Sequence, residues 1–311
     1  MLLASCSLAR IGYTWAPTLL SWELGRYVTL SAKQQKESDE LLKSLFEWHQ
    51  RTQLPAYVAF LDDVDHRLSG IEARLRAQVP NGAGAPPSAP AKSDGSPLTA
   101  AELVAWRARA KAAWETVARQ LAGPVASQVR TFTDEQLAEV GEAMARKHRE
   151  AMAKYQQPDI GRRIEARHER WQQRLEQFIG PLTERQRATL GHRVAALTDS
   201  TDWWAEREQR QQRLLAVLTR VARERPPMPE ATAAIEALLL HWSDGRTPQM
   251  RQLLATLTRE SEALVIAVLD DMTLAQVRRA RETLRGYAND LRPLLPASAS
   301  VDNEKARPGR S

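Results

Sequence analysis

Leu182-Thr183-Glu184-Arg185-Gln186 decides how this chain is read. A hydroxyl residue follows an apolar one, and a glutamine stands three places after the hydroxyl. This is the order of a capping box. The hydroxyl accepts from a free backbone N–H of a first helical turn, and the Gln or Glu side chain reaches back to the cap's own N–H. The same form recurs at Leu30-Ser31-Ala32-Lys33-Gln34, Leu98-Thr99-Ala100-Ala101-Glu102, Phe132-Thr133-Asp134-Glu135-Gln136 and Met272-Thr273-Leu274-Ala275-Gln276. Leu103, Leu137 and Val277 follow three of the copies and can pack back on the residue before the cap as a hydrophobic staple. The spacing between copies is irregular, so they do not mark a solenoid repeat.

The stretches between these starts carry helical periodicity. Val58, Leu61, Val64, Leu68, Ile71 and Leu75 recur every three or four residues and predict an amphipathic helix over 55–78. Leu41, Leu42, Leu45, Phe46 and His49 place another over 31–51. Pro17 suits the first turn of a helix that runs to Arg26. Further helices are expected over 99–122, 133–156, 159–179, 183–198, 201–224, 229–243, 248–269 and 273–290, with breaks at Gly123-Pro124, Pro158, Gly180-Pro181, Pro226-Pro227 and Gly245. No strand pattern is present. The expected fold class is all-α, a multi-helix bundle-like array of about ten helices with a disordered internal linker and a disordered C-terminal tail. The linker is 80–97, PNGAGAPPSAPAKSDGSP, which holds no large apolar residue to offset its ordering entropy. It separates an N-terminal helical part, 7–79, from a C-terminal one, 98–293, ahead of the tail at 294–311. One shared core is expected, because the Tyr- and Trp-rich stretch after residue 7 needs something to bury against.

Composition narrows the function classes. Hydrophobic residues make up 43% of 311, enough for a real core. The net charge of +6 comes from 44 basic and 38 acidic residues that are interspersed, so the surface is mixed rather than polycationic. It permits weak attraction to anionic lipid or nucleic acid. No run of 18 apolar residues exists to span a bilayer. No zincin motif, phosphate-binding glycine loop or nucleophile elbow is present. No catalytic set, metal site or cofactor is indicated.

Cys6 is the only cysteine. Leu3-Ala4-Ser5-Cys6 has the order of a lipobox: an aliphatic residue, two small residues that fit a peptidase groove, and the thiol that accepts the lipid. The expectation is lipidation at Cys6 and a membrane anchor. Residues 1–6 are then the remnant of a lipoprotein signal. A complete signal carries an apolar stretch of about 7–15 residues, so either the start codon is placed too late, or the segment has been trimmed, or Cys6 is a free cysteine in a short apolar tail. Ser7, rather than an aspartate, favours the outer membrane by analogy with lipoproteins in general.

Four side chains are candidates for a groove or partner surface: Trp48 and His49, which precede the Leu54-Pro55 break, and Trp203 and Trp204, adjacent residues about 100° apart around one helix. The alternative is that they pack a corner and a core. Arg163, Arg167, Arg170 and Arg174 form a basic stripe at 4-3-4 spacing, fit either for phosphate contact or for ion pairing with neighbouring glutamates. Asp62 and His66 are an i, i+4 pair without a second cluster to complete a metal site.

Two resemblances rest on these residues. The recurrent signature is similar to that of the L-T-x-x-Q periplasmic proteins, the Spy- and CpxP-like stress chaperones. Gly12-Tyr13, Trp22, Tyr27-Val28-Thr29-Leu30, Gln34 and Trp48-His49-Gln50-Arg51-Thr52-Gln53-Leu54-Pro55 with Tyr57 resemble the W-H-x-x-T-x-L-P-x-Y signature of a family of uncharacterised proteobacterial lipoproteins. Trp171, Phe178-Ile179-Gly180-Pro181-Leu182-Thr183, Gln186 and Trp204 look like its second signature. The long 80–97 insert departs from that pattern. The resemblance implies an address and an architecture, not an activity. Together these readings imply an outer-membrane-anchored periplasmic helical lipoprotein, non-enzymatic, that binds a protein client or envelope partner. The alternatives are an envelope hydrolase or metal-dependent enzyme around His49 or Asp62/His66, and a cytoplasmic helical protein that binds nucleic acid. Nucleic acid is not the expected partner in the periplasm.

Overall fold

Every one of the five signatures starts a helix in the computed structural model, which describes residues 8–78, 98–155, 159–197, 203–241 and 246–296. The described residues are all-α. They form α1 (Leu8–Gly25), α2 (Ala32–Thr52), α3 (Leu54–Gln78), α4 (Ala100–Val129), α5 (Asp134–Tyr155), α6 (Ile160–Ile179), α7 (Glu184–Ala196), α8 (Trp203–Glu224), α9 (Met228–Leu240), α10 (Pro248–Leu269) and α11 (Leu274–Leu291), followed by a 3-10 turn at Arg292–Leu294. No strand occurs among the described residues. No described helix is long and apolar enough to cross a membrane. The 80–97 stretch, residues 1–6 and the tail beyond 296 lie outside the described residues.

The caps are bonded as the signature requires. Thr183 Oγ1 accepts from Gln186 N at 3.2 Å while Gln186 Oε1 accepts from Thr183 N at 2.9 Å. Thr273 and Gln276 repeat this at 3.2 and 3.0 Å. So do Thr133 with Gln136, Ser31 with Gln34, and Thr99 with Glu102.

Two proline expectations are corrected. Pro17 lies in the middle of α1, not in its first turn, and Pro124 lies inside α4 rather than at a break. An interior proline costs a hydrogen bond and opposes the carbonyl four residues back, so tertiary contact must hold both helices through it. In α1 those contacts flank the proline: the Tyr13 ring meets Phe46 edge-on with centroids 5.4 Å apart, and Ser21 Oγ donates to Asp39 at 2.9 Å. In α4, Ala118, Ala122 and Ala126 are each 0% exposed, a small-residue face that lets neighbouring elements close on the helix across Pro124.

The chain divides into two units. Unit 1 comprises 1–49, 107–156 and 199–252, and unit 2 comprises 50–106, 157–198 and 253–311. Each takes segments from both sides of the 80–97 stretch, and each has its own core. Unit 1 is built around Val28, Val129, Leu137, Val140, Val221 and Ile235. Unit 2 is built around Leu68, Ile179, Leu190, Val194, Leu264 and Val277.

The capping glutamines have a second use, which repeats in both units. In unit 1 the two carboxamides pair reciprocally: Gln34 Nε2 donates to Gln136 Oε1 at 3.1 Å and Gln136 Nε2 donates to Gln34 Oε1 at 2.7 Å. Each also donates to the carbonyl two residues before the other's cap, Gln34 to Thr131 at 3.0 Å and Gln136 to Thr29 at 2.8 Å. Unit 2 has the same arrangement. Gln186 and Gln276 exchange bonds of 3.0 and 2.8 Å, Gln186 donates to the Asp271 carbonyl at 3.2 Å, and Gln276 donates to that of Pro181 at 2.8 Å. Four of the five signatures therefore form two amide latches, each joining two helix starts. Glu102, the fifth, is an acid and pairs with Arg67 instead.

Unit 2 adds an ion ladder. Asp62 meets Arg292, Asp65 meets Arg285 and Arg281, and Glu72 meets Arg281 and Arg278. Numbers rise on α3 as they fall on α11, so the two helices run antiparallel. Glu72 is buried, which opposes its ionisation, but the Arg281 and Arg278 hydrogen bonds outweigh this and hold its carboxyl below the ordinary value. A depressed folded pKa stabilises the fold above the unfolded carboxylate value of about 4.3, and that stability is lost as pH falls below it. Glu72→Gln should therefore flatten the fall of Tm between about pH 4.5 and 3 relative to wild type. Parallel acid curves in calorimetry would remove Glu72 as a contributor.

Candidate functional site

The chemistry of unit 1 gathers where α5 and α8 face each other. On α5, Val140, Met144 and Lys147 fall at 4-3 spacing, and on α8, Trp203, Arg207, Arg210 and Leu214 fall at 4-3-4 spacing. These residues, with Leu24, Tyr27, Val28, Phe132 and Gln211, line a cavity of about 540 Å³. Among the described residues its wall is mostly apolar and carries three cations and no acid.

Each cation is held. Lys147 pairs with Glu23, just outside the cavity, and its Nζ lies 4.0 Å from the Tyr27 ring centroid. The hydrogen bond to Glu23 keeps the ammonium above its ordinary pKa. The Arg207 guanidinium sits over Trp204 and that of Arg210 over Trp203, each 5.8 Å from the ring centroid. Burial pulls Arg210 below the ordinary guanidinium value; Glu206 opposes this, and the positive charges of Arg246, Arg207 and Arg213 add to it. Glu206 is itself buried and bonded to Arg246 at 2.8 Å, with Arg213 at 3.7 Å.

A second cavity of about 370 Å³ shares Met144 and Gln211 with the first and is lined by His148, Arg149 and Glu208. His148 is 8% exposed, packs edge-on to Trp204 with centroids 5.9 Å apart, and has no hydrogen-bond partner for Nδ1 among the described residues.

The sequence-predicted candidates fall in different places. Trp203, 39% exposed, lines the larger cavity, and Trp204 is half-buried beneath Arg207. Trp48 and His49 are half-buried near the end of α2, where His49 Nδ1 lies 3.0 Å from the Tyr13 hydroxyl. Burial holds the His49 imidazole below its ordinary pKa, so it is neutral near pH 7. The cavities described are lined by other residues. Of the basic stripe, Arg170 and Arg174 are exposed while Arg163 and Arg167 are half-buried. Arg167 donates to the Leu197 carbonyl at the end of α7, a structural use of one stripe member. Asp62 is engaged by Arg292, and His66 is exposed. Among the described residues no group of three or more His, Cys, Asp or Glu is placed to hold a metal ion. Cys6 lies outside the described residues.

Lys147, Arg207 and Arg210 were not among the sequence candidates. The signal for Arg207 and Arg210 is the interleaving of cations with Trp203 and Leu214 on one face of α8.

Apart from Trp204, the second signature is architectural. Trp171 and Phe178 pack on the unit 2 core, Ile179 and Leu182 lie within it, and Gln186 belongs to a latch. Gly180 closes α6 at φ +83°, a left-handed conformation that glycine adopts without strain.

No curated protein and no solved structure matches the chain. A family of unknown function, DUF6279, matches residues 89–244, half of the 311-residue chain. The match takes in the second signature and segments of both units, and it leaves out the first signature at 48–57. The chain belongs to this family of unknown function.

Proposed function

We propose that the protein is a lipid-anchored component of the bacterial envelope, attached through Cys6 to the periplasmic face of the outer membrane, that acts by binding rather than catalysis. The observation that carries this reading is the outer face of α1. Ile11, Trp15, Leu19 and Trp22 follow 4-4-3 spacing and are 47%, 58%, 55% and 64% exposed. The other side of the helix is engaged through Tyr13, Ser21 and Leu24. A contiguous apolar stripe of this kind marks a contact surface, and tryptophans suit the boundary between lipid and water. It begins five residues after Cys6. A diacylglyceryl group carries two acyl chains and anchors by itself; the α1 stripe then sets how the body lies against the membrane surface.

The test has two parts. Native expression followed by fractionation and mass spectrometry should find a diacylglyceryl-modified Cys6 in the membrane fraction; an unmodified chain beginning at Met1 in the cytosol would sink the anchor. Full-length Cys6→Ser protein should still float with phospholipid vesicles, and Trp15→Ser/Trp22→Ser should weaken that at least about tenfold. If the unlipidated protein ignores vesicles but suppresses aggregation of an unfolded client, the α1 face is a chaperone surface, as in the L-T-x-x-Q proteins whose signature it resembles.

A further inference from the structure

We propose that the smaller cavity of unit 1 binds a zwitterionic dipeptide with apolar side chains, its carboxylate on Arg149, its ammonium on Glu208 and its side chains in the hollow beside Gly141, Ala145 and Leu215.

The cavity follows the seam of α5 and α8. Asp134 bonds Arg223 at 2.7 Å, a Cβ on Gly141 would stand 3.1 Å from the Leu215 side chain, and His148 packs on Trp204. Numbers rise on α5 as they fall on α8, so the two helices run antiparallel. Gly141 and Leu215 therefore lie at one end of the seam, and His148, Arg149 and Glu208 at the other. The first end is hollow because α5 places its smallest residues there, Gly141 and Ala145, four apart on one face. The volume of about 370 Å³ is at the lower end of small-molecule sites.

The second end is polar and unsatisfied. His148 is 8% exposed, and its Nδ1 has no hydrogen-bond partner among the described residues. A buried polar atom left so costs stability, and a ligand that brings a donor and an acceptor to the ring accounts for its place. The peptide group of a dipeptide brings both. The described lining carries one cation, Arg149, and one acid, Glu208, on facing helices, with the carboxamides of Gln211 and Gln212 between the two ends. A ligand of single charge meets one of these ions and is repelled by the other. A sugar or a nucleobase finds no Trp, Tyr or Phe in the described lining on which to stack. A zwitterion with apolar side chains meets both ions and fills the hollow. The inference does not depend on Cys6 or on the α1 face, because none of the residues of that stripe lines the cavity.

Full-length protein titrated calorimetrically with leucyl-leucine should bind one molecule saturably. Glycylglycine, which lacks the side chains, and N-acetyl-leucyl-leucinamide, which lacks both charges, should each bind at least about tenfold more weakly. Arg149→Gln/Glu208→Gln should weaken leucyl-leucine to the same extent with Tm retained, since both residues are exposed. Ala145→Phe, also at an exposed position, should fill the hollow and abolish binding. His148→Phe keeps a ring against Trp204 and should weaken binding severalfold; if it fails to fold, the two surface variants still decide. Absence of saturable binding, or an unchanged affinity in Arg149→Gln/Glu208→Gln or in Ala145→Phe, would overturn the proposal. Equal binding of the blocked peptide would overturn it as well, and would assign the cavity to a segment within a longer polypeptide.

Discussion

Gln186→Leu is expected to destabilise unit 2 by about 3 kcal/mol. Gln186 is 0% exposed, and its side chain bonds Thr183 N, the carbonyls of Val268 and Asp271, and Gln276 in both directions. Leucine matches its size but leaves these partners buried without bonds, each at a cost of about 1–3 kcal/mol, which local relaxation reduces. The double replacement Gln186→Leu/Gln276→Leu should cost less than the sum of the two singles, by about 1 kcal/mol or more, because the second change removes a group that the first had orphaned. Urea unfolding of the four proteins closes the cycle. Additive singles would show that the reciprocal bonds contribute nothing as a pair. Gln34→Leu should cost less, since the unit 1 latch is not fully shielded, with Gln34 6% and Gln136 8% exposed.

The second large effect is expected at Arg246. Arg246→Met removes the bonded partner of Glu206, whose side chain is only 5% exposed. An uncompensated buried carboxylate costs about 3–5 kcal/mol. Arg213 lies 3.7 Å from the same carboxylate oxygen and offsets part of this, so the lower end of the range is expected. Glu206→Leu/Arg246→Met should recover most of the loss, since a buried pair exchanged for apolar residues of similar size is often nearly neutral. A single Arg246→Met that unfolds with the wild-type midpoint would mean that Glu206 is not committed to this pair.

Much of the fold was legible because its signals are local. A hydroxyl, two spacers and a glutamine state a helix start in five residues, and an apolar residue every three or four states which face is buried. The helix ends at Gly180 and at Pro226-Pro227 were legible for the same reason. What the pattern did not carry was pairing. Nothing in Gln34 says that its partner is Gln136 rather than Gln186, because capping boxes look alike whether or not the glutamine reaches across to another one. Pro17 and Pro124 were misread because a local rule met tertiary packing: Phe46 and Asp39 hold α1, and the alanine face of α4 holds the other.

The site was less legible. Trp203 was visible as one of two adjacent tryptophans, but its cavity depends on α5 lying beside α8, a contact between residues far apart in sequence. The cations at 207 and 210 resembled any arginine-rich solvated face. Arg163, Arg167, Arg170 and Arg174 share the 4-3-4 spacing of Trp203, Arg207, Arg210 and Leu214, yet Arg167 serves a helix end. Spacing alone does not separate the two cases; the apolar residues within the α8 stripe do.

The interleaving of the two units bears on the order in which they can be completed as the chain is made. The first latch needs residues up to Gln136, the second needs Gln276, and at about 5–20 residues per second these are separated by roughly 7–28 s. Within that interval 50–78 and 157–198 have already emerged, but the α11 strip that covers α3 and α6 has not. The apolar faces of α3 and α6 therefore wait uncovered after the first latch can form; unit 1 itself is complete only with residue 252, shortly before Gln276 is made. The acidic residues Asp62, Asp65 and Glu72 lie on the waiting surface of α3 and keep it soluble until the arginines of α11 arrive.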